Sequence, residues 1–141
     1  MKIKVIDIVS IYPNCKVTSR TEFGDIALTW MDANPSINKE YDIEFDANEI
    51  LIWKNDIIMT ELKEPAIYMD NNEIVIIGTL ESVDDDGLMV VRMGDYILTF
   101  ETQGEAYHNG TMIKIKVQSM EAYPFSYNWS TIPIYEFNFW I

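Results

Sequence analysis

With 141 residues, a hydrophobic share of 48% and an aromatic share of 13%, the chain is long and apolar enough to bury a real core, which excludes a disordered protein despite a net charge of -13. The same charge excludes a nucleic-acid binder with a broadly basic surface, because phosphates would be repelled and the ten lysines and arginines are scattered along the chain. Cys15 is the single cysteine, so an internal disulfide and multi-cysteine zinc sites are excluded, and the usage fits a reducing cytoplasm.

Residues 2 to 11 form the first candidate strand. Lys2 and Lys4 precede apolar residues there, but Asp7 interrupts the run and no small-residue cleavage site follows, so a secretory signal is not expected. No apolar stretch anywhere reaches the roughly 18 to 20 residues of a membrane helix, and no membrane partner is expected. Residues 25 to 31 form the next candidate strand.

The stretch Lys39 to Asp46, KEYDIEFD, alternates strictly. Tyr41, Ile43 and Phe45 share one face of a strand, and Glu40, Asp42, Glu44 and Asp46 share the other. Alternate residues on a strand lie about 6.7 Å apart, so each neighbouring pair of carboxylates repels by roughly 0.6 kcal/mol in water. A fold tolerates that cost. The stripe is therefore either a solvated outer face, countered by Lys2 and Lys4 or by Lys114 and Lys116 on a neighbouring strand, or a docking surface for a cationic partner. Glu49, the last residue of the turn Asp46-Ala47-Asn48-Glu49 and just beyond the stripe, supports the docking reading.

After the short run EILIWK, residues 56 to 64 read as a helical turn capped by Asp56 or, equally, as a short strand. From about residue 66 to 121 turn chemistry recurs between alternating runs. Asp70-Asn71-Asn72 precedes EIVIIGTLESV, Asp86-Gly87 leads into LMVVRM, Gly94-Asp95 into YILTFET, and Asn109-Gly110 into TMIKIKV. These residues supply the positive φ angles of tight hairpins, which predicts an antiparallel meander. Gly78, inside the long strand 74 to 83, marks a bulge or bend that lets one strand serve both halves of a barrel. Eight or nine strands predict an all-β fold in one domain over residues 1–141. The meander closes into a small OB-like barrel or a two-layer sandwich, with at most one short helix.

A second acidic cluster, Glu81, Asp84, Asp85 and Asp86, stands near the Asp86-Gly87 turn and supports the docking reading. The run VDDDG lacks the spaced ligands and terminal glutamate of a calcium loop, so a polar hairpin tip is expected and no metal. Segment 123–141 is rich in aromatic residues. Its Tyr127, Trp129, Tyr135, Phe137 and Trp140 either close the core or form a platform for a carbohydrate, another small ligand or a homodimer contact.

Catalytic signals are lacking. His108 is the sole histidine and sits in a loop-like stretch, no third group orients a Cys15/His108 pair, and no phosphate-cradling glycine loop occurs. A non-enzymatic binding protein without cofactor is expected. In size and charge alone, the chain resembles bacterial immunity proteins, small acidic cytosolic proteins that neutralise basic nuclease toxins. That resemblance implies a basic toxin domain as partner, met by Glu40, Asp42, Glu44, Asp46, Glu49, Glu81, Asp84, Asp85 and Asp86.

Overall fold

The computed structural model describes residues 1–125. Within them the chain forms twelve strands: β1 (Lys2–Ser10), β2 (Cys15–Thr21), β3 (Gly24–Trp30), β4 (Glu40–Asp46), β5 (Leu51–Ile52), β6 (Ile57–Met59), β7 (Ala66–Asp70), β8 (Glu73–Val83), β9 (Leu88–Met93), β10 (Tyr96–Gln103), β11 (Met112–Val117) and β12 (Glu121–Pro124). No helix occurs among the described residues, and none is long and apolar enough to cross a membrane.

Two sheets result. Strands β1, β2, β3, β12 and β4 close into a barrel in that order. The second sheet runs β5-β10-β9-β8-β11-β6, with β7 also paired to β8. It nearly closes on itself, because β5 and β6 are joined by a tight turn and bridged between Trp53 and Ile57.

The closed barrel is thus built from the chain's first four strands and its returning β12, whereas the predicted meander forms the other sheet. Two pairings are parallel, β12 with β3 and β5 with β10, and both join elements distant in sequence. The hairpins β7–β8, β8–β9 and β9–β10 stand where their turn residues indicate. Asn109-Gly110 does not make the next hairpin. The Gly110 N–H donates to Leu80 O at 2.7 Å and directs β11 back onto β8 rather than onto β10.

Strand β8 organises the second sheet. Along one edge it pairs with β11; along the other, β7 covers its first half and β9 its second. Ile74, Val75, Ile76 and Ile77 are all buried, the continuous apolar run expected of a strand covered on both faces. Lys116 and Lys114 stand opposite Val75 and Ile77 and are half-buried, so their stems shield β8 instead of meeting the acids of β4.

Gly78 sits where β9 takes over from β7. A Cβ there would lie 2.6 Å from Val91 Cγ1 and 2.9 Å from the Arg92 carbonyl oxygen, so glycine permits the close approach. The bulge itself falls later, between Leu80 and Ser82.

Residues 56 to 64 hold the short strand β6. Asp56 Oδ2 accepts the Ile52 N–H at 2.7 Å, so this carboxylate fixes the β5–β6 turn.

The two sheets join through β7. The Ile67 N–H donates to Phe23 O at 3.0 Å. Gly24, at φ +145, lies so close to Ile67 that an added Cβ would overlap its carbonyl oxygen. Buried residues from both sheets, from Ile3 to Ala122, pack into one continuous hydrophobic cluster.

Candidate functional site

The site begins with the direction of one connection. After β4 the chain runs from Glu44 through the 46–50 loop into β5, which pairs parallel to the last residues of β10 through Leu51 to Thr102 and Ile52 to Gln103. Strand β4 lies beside β10 without pairing to it. The two stretches therefore run in the same direction and are zipped at one end only, leaving a groove between them.

Three contiguous depressions make up this groove. The first, about 370 Å³, is lined by Met1, Ile43 to Phe45, Tyr96 to Thr99 and Phe125. The second, about 440 Å³, is lined by Asp46 to Ile50, Leu88 and Thr99 to Glu101. The third, about 390 Å³, adds Asp84, Asp86 and Gln103 and shares Ile50, Leu88 and Glu101 with the second. The first holds a single acid, Glu44, among aromatic and aliphatic residues, whereas the other two gather Asp46, Glu49, Glu101, Asp84 and Asp86. No lysine or arginine lines any of the three.

Thr102 holds the zipped end shut. It is buried, its Oγ1 donates to Gly87 O at 2.7 Å, and it accepts the Trp53 indole N–H at 2.9 Å. Alternation along β10 then puts Leu98, Phe100 and Thr102 inward and leaves Ile97, Thr99 and Glu101 exposed. Ile50 and Leu88, 49% and 39% exposed, form an apolar floor among the acids.

The acids identified from the sequence separate into two groups. On β4, Glu40, Asp42, Glu44 and Asp46 do share the outer face, with Ile43 buried and Tyr41 and Phe45 half-buried opposite them. Strand β1 counters the first part of this stripe: Lys4 stands opposite Glu40 and Lys2 opposite Asp42. The terminal ammonium of Met1 donates to Ile43 O at 2.8 Å. Its pKa is lowered by burial, an effect opposed by the nearby charges of Asp42 and Glu44. Glu81 is spent as well, in a hydrogen-bonded ion pair with Arg92 across the β8–β9 ladder.

The remaining acids converge on the groove. Asp46 faces Glu121 directly across the β4–β12 ladder, two like charges at one register position. Glu49 and Glu101 line the same depression as Asp46, and Glu101 also lines the next one with Asp84 and Asp86. Two of these carboxylates have structural duties. Glu49 Oε2 accepts the Gln118 N–H at 3.0 Å, and Asp84 Oδ1 accepts the N–H groups of Asp86 and Leu88 at 2.9 Å each, which shapes the turn. Asp85 is exposed at that tip but does not line the groove.

Glu101 was not singled out from the sequence. Its outward position follows from the alternation of YILTFETQ, but its neighbours do not, since they arrive through a parallel crossover with no local signature. Tyr127, Trp129, Tyr135, Phe137 and Trp140 lie outside the described residues. Among the described residues no group of three or more His, Cys, Asp or Glu side chains is placed to hold a metal ion. Burial pushes the Cys15 thiol up from its ordinary pKa, the opposite of what nucleophilic activation requires.

Comparison with protein-family models, with curated proteins and with solved structures gave no match.

Proposed function

We propose that the protein is a non-enzymatic binding module whose acidic groove receives a basic segment of a partner protein. The observation that carries this reading is the convergence of Asp46, Glu49, Glu101, Asp84 and Asp86 along two contiguous depressions that no cationic side chain lines. A row of uncompensated carboxylates over a partly apolar floor suits lysine and arginine side chains, whose charged heads and aliphatic stems match acid and floor respectively. A basic nuclease toxin domain is the concrete partner suggested by size and charge, and blocking it by coverage requires no chemistry from this chain.

Charge reversal tests the reading. Binding to a panel of basic nuclease domains is measured for the parent chain, for Asp46→Lys/Glu101→Lys and for Glu40→Lys/Asp42→Lys. The groove variant is expected to lose at least about 3 kcal/mol, roughly a hundredfold in affinity, and the β4 variant much less, because Lys4 and Lys2 already oppose those acids. Equal losses, or none in the groove variant, would overturn the assignment of the groove.

A further inference from the structure

The groove offers backbone as well as charge. Strand β10 pairs with β9 along one edge, and its other edge, from Tyr96 to Phe100, has no strand partner among the described residues. Two hydrogen bonds fix which residues face which way. The Thr102 N–H donates toward β9, to Gly87 O at 2.9 Å, and Gln103 O accepts on the opposite side, from the Trp53 N–H at 3.1 Å. By the alternation of an antiparallel strand, Thr99 and Ile97 then direct their N–H and C=O groups away from β9, into the depression they line with Glu44, Phe45 and the Met1 terminus.

The opposite wall is built alike. Strand β4 turns Asp42 toward β12, where its carbonyl accepts the Phe125 N–H at 2.9 Å, and Ile43 toward β1, where its N–H and C=O both bond Met1. Phe45 faces the same way as Ile43, beyond the last β1 partner, and lines the same depression. Strand edges of this kind are where proteins take up a further extended segment. Charge decides the occupant. Glu44 lines the first depression and Asp46, Glu49 and Glu101 the second, with no lysine or arginine in either, and the Met1 ammonium near Glu44 is engaged by Ile43 O at 2.8 Å. Ile97, Ile50 and Leu88 stand exposed among these acids. A segment that alternates basic with aliphatic side chains matches both, because successive side chains of a strand take opposite faces.

We propose that the basic segment of the partner binds as an added β-strand along this edge of β10, its backbone paired with Ile97 and Thr99 and its lysine or arginine side chains set against Glu44, Asp46, Glu49 and Glu101. On the β10 side it prolongs the pairing that β5 makes at Thr102 and Gln103. The inference rests on the reading of the groove as a site for a basic segment and adds the conformation in which that segment is recognised.

Amide hydrogen exchange of the full chain, followed by NMR, reads the pairing directly. The probe is an eight-residue peptide of alternating lysine and valine, acetylated and amidated at its ends, and the control is the same peptide N-methylated at every residue. On saturation with the probe, the Ile97 and Thr99 amides are expected to slow at least about tenfold. The control keeps the charges but has no N–H to donate, so it is expected to bind at least about tenfold more weakly. Charge-dependent binding that leaves both amides unprotected, or equal affinity of the two peptides, would overturn the added strand while the basic-segment reading stands. Absence of binding, or binding unchanged in Asp46→Lys/Glu101→Lys, would instead bring down that reading and this inference with it. Ile97 and Thr99 amides already slow in the chain alone would overturn the inference too, by showing that the edge is covered without a partner, and release of that protection on dilution would identify the cover as a second copy.

Discussion

Thr102 shows how one buried hydroxyl sets the shape of the site. It satisfies the Trp53 indole N–H and the Gly87 carbonyl at once, tying β5 to the end of β10 and fixing the closed end of the groove. Thr102→Val keeps the shape but removes the acceptor of the Trp53 indole N–H, whereas Gly87 O still accepts the residue-102 backbone N–H, made at 2.9 Å; leaving a buried polar group unpaired costs about 1–3 kcal/mol. The variant is expected to lose about 1–3 kcal/mol of unfolding free energy in a denaturant titration, and Thr102→Ser to lose much less. A Val variant as stable as the parent would show that the hydroxyl does not hold this junction. Ser19 shows the same logic in the barrel, where its buried hydroxyl donates to Ile26 O at 3.1 Å.

Among the elements, β8 bears the largest structural load, and Gly78 is its tightest point. Because a Cβ would press on Val91 and on the backbone of Arg92, Gly78→Ala should destabilise the protein by about 1–3 kcal/mol, as the backbone cannot yield the way a flexible side chain would. Thermal unfolding measures it, and an unchanged midpoint would mean that β9 moves aside freely. The element scale also separates what the sequence makes legible from what it hides. Strand β8 is bounded in sequence by Asp70-Asn71-Asn72 and Asp86-Gly87, and β4 by its own alternation, because local turn chemistry and side-chain period suffice for both. Strand β2 escapes that reasoning. Its inward positions after Val17 are Ser19 and Thr21, buried through hydrogen bonds to Ile26 O and Gly24 O, so no hydrophobic period marks them. The parallel pairings of β5 and β12 escape it for another reason, since crossover partners carry no turn residue between them. Hence the groove is illegible in the sequence even though most of its acids stand out there, and nothing local separates Glu40, Asp42 and Glu81 from the acids that Lys4, Lys2 and Arg92 do not oppose.

For the whole molecule, a net charge of -13 matters less than its distribution. Part of the excess is opposed locally by strand β1 and by Arg92, and part is left uncompensated where the 44–52 stretch and β10 diverge. Uncompensated charge in a groove raises the rate at which a cationic surface arrives, and salt screens that steering over about 8 Å at physiological ionic strength. The most direct measurement is the association rate constant with a basic nuclease domain as ionic strength rises. The account predicts a fall of about tenfold or more between roughly 0.02 M and 0.3 M salt, with a shallower slope for Asp46→Lys/Glu101→Lys. An association rate indifferent to salt, or the same slope in that variant, would contradict it.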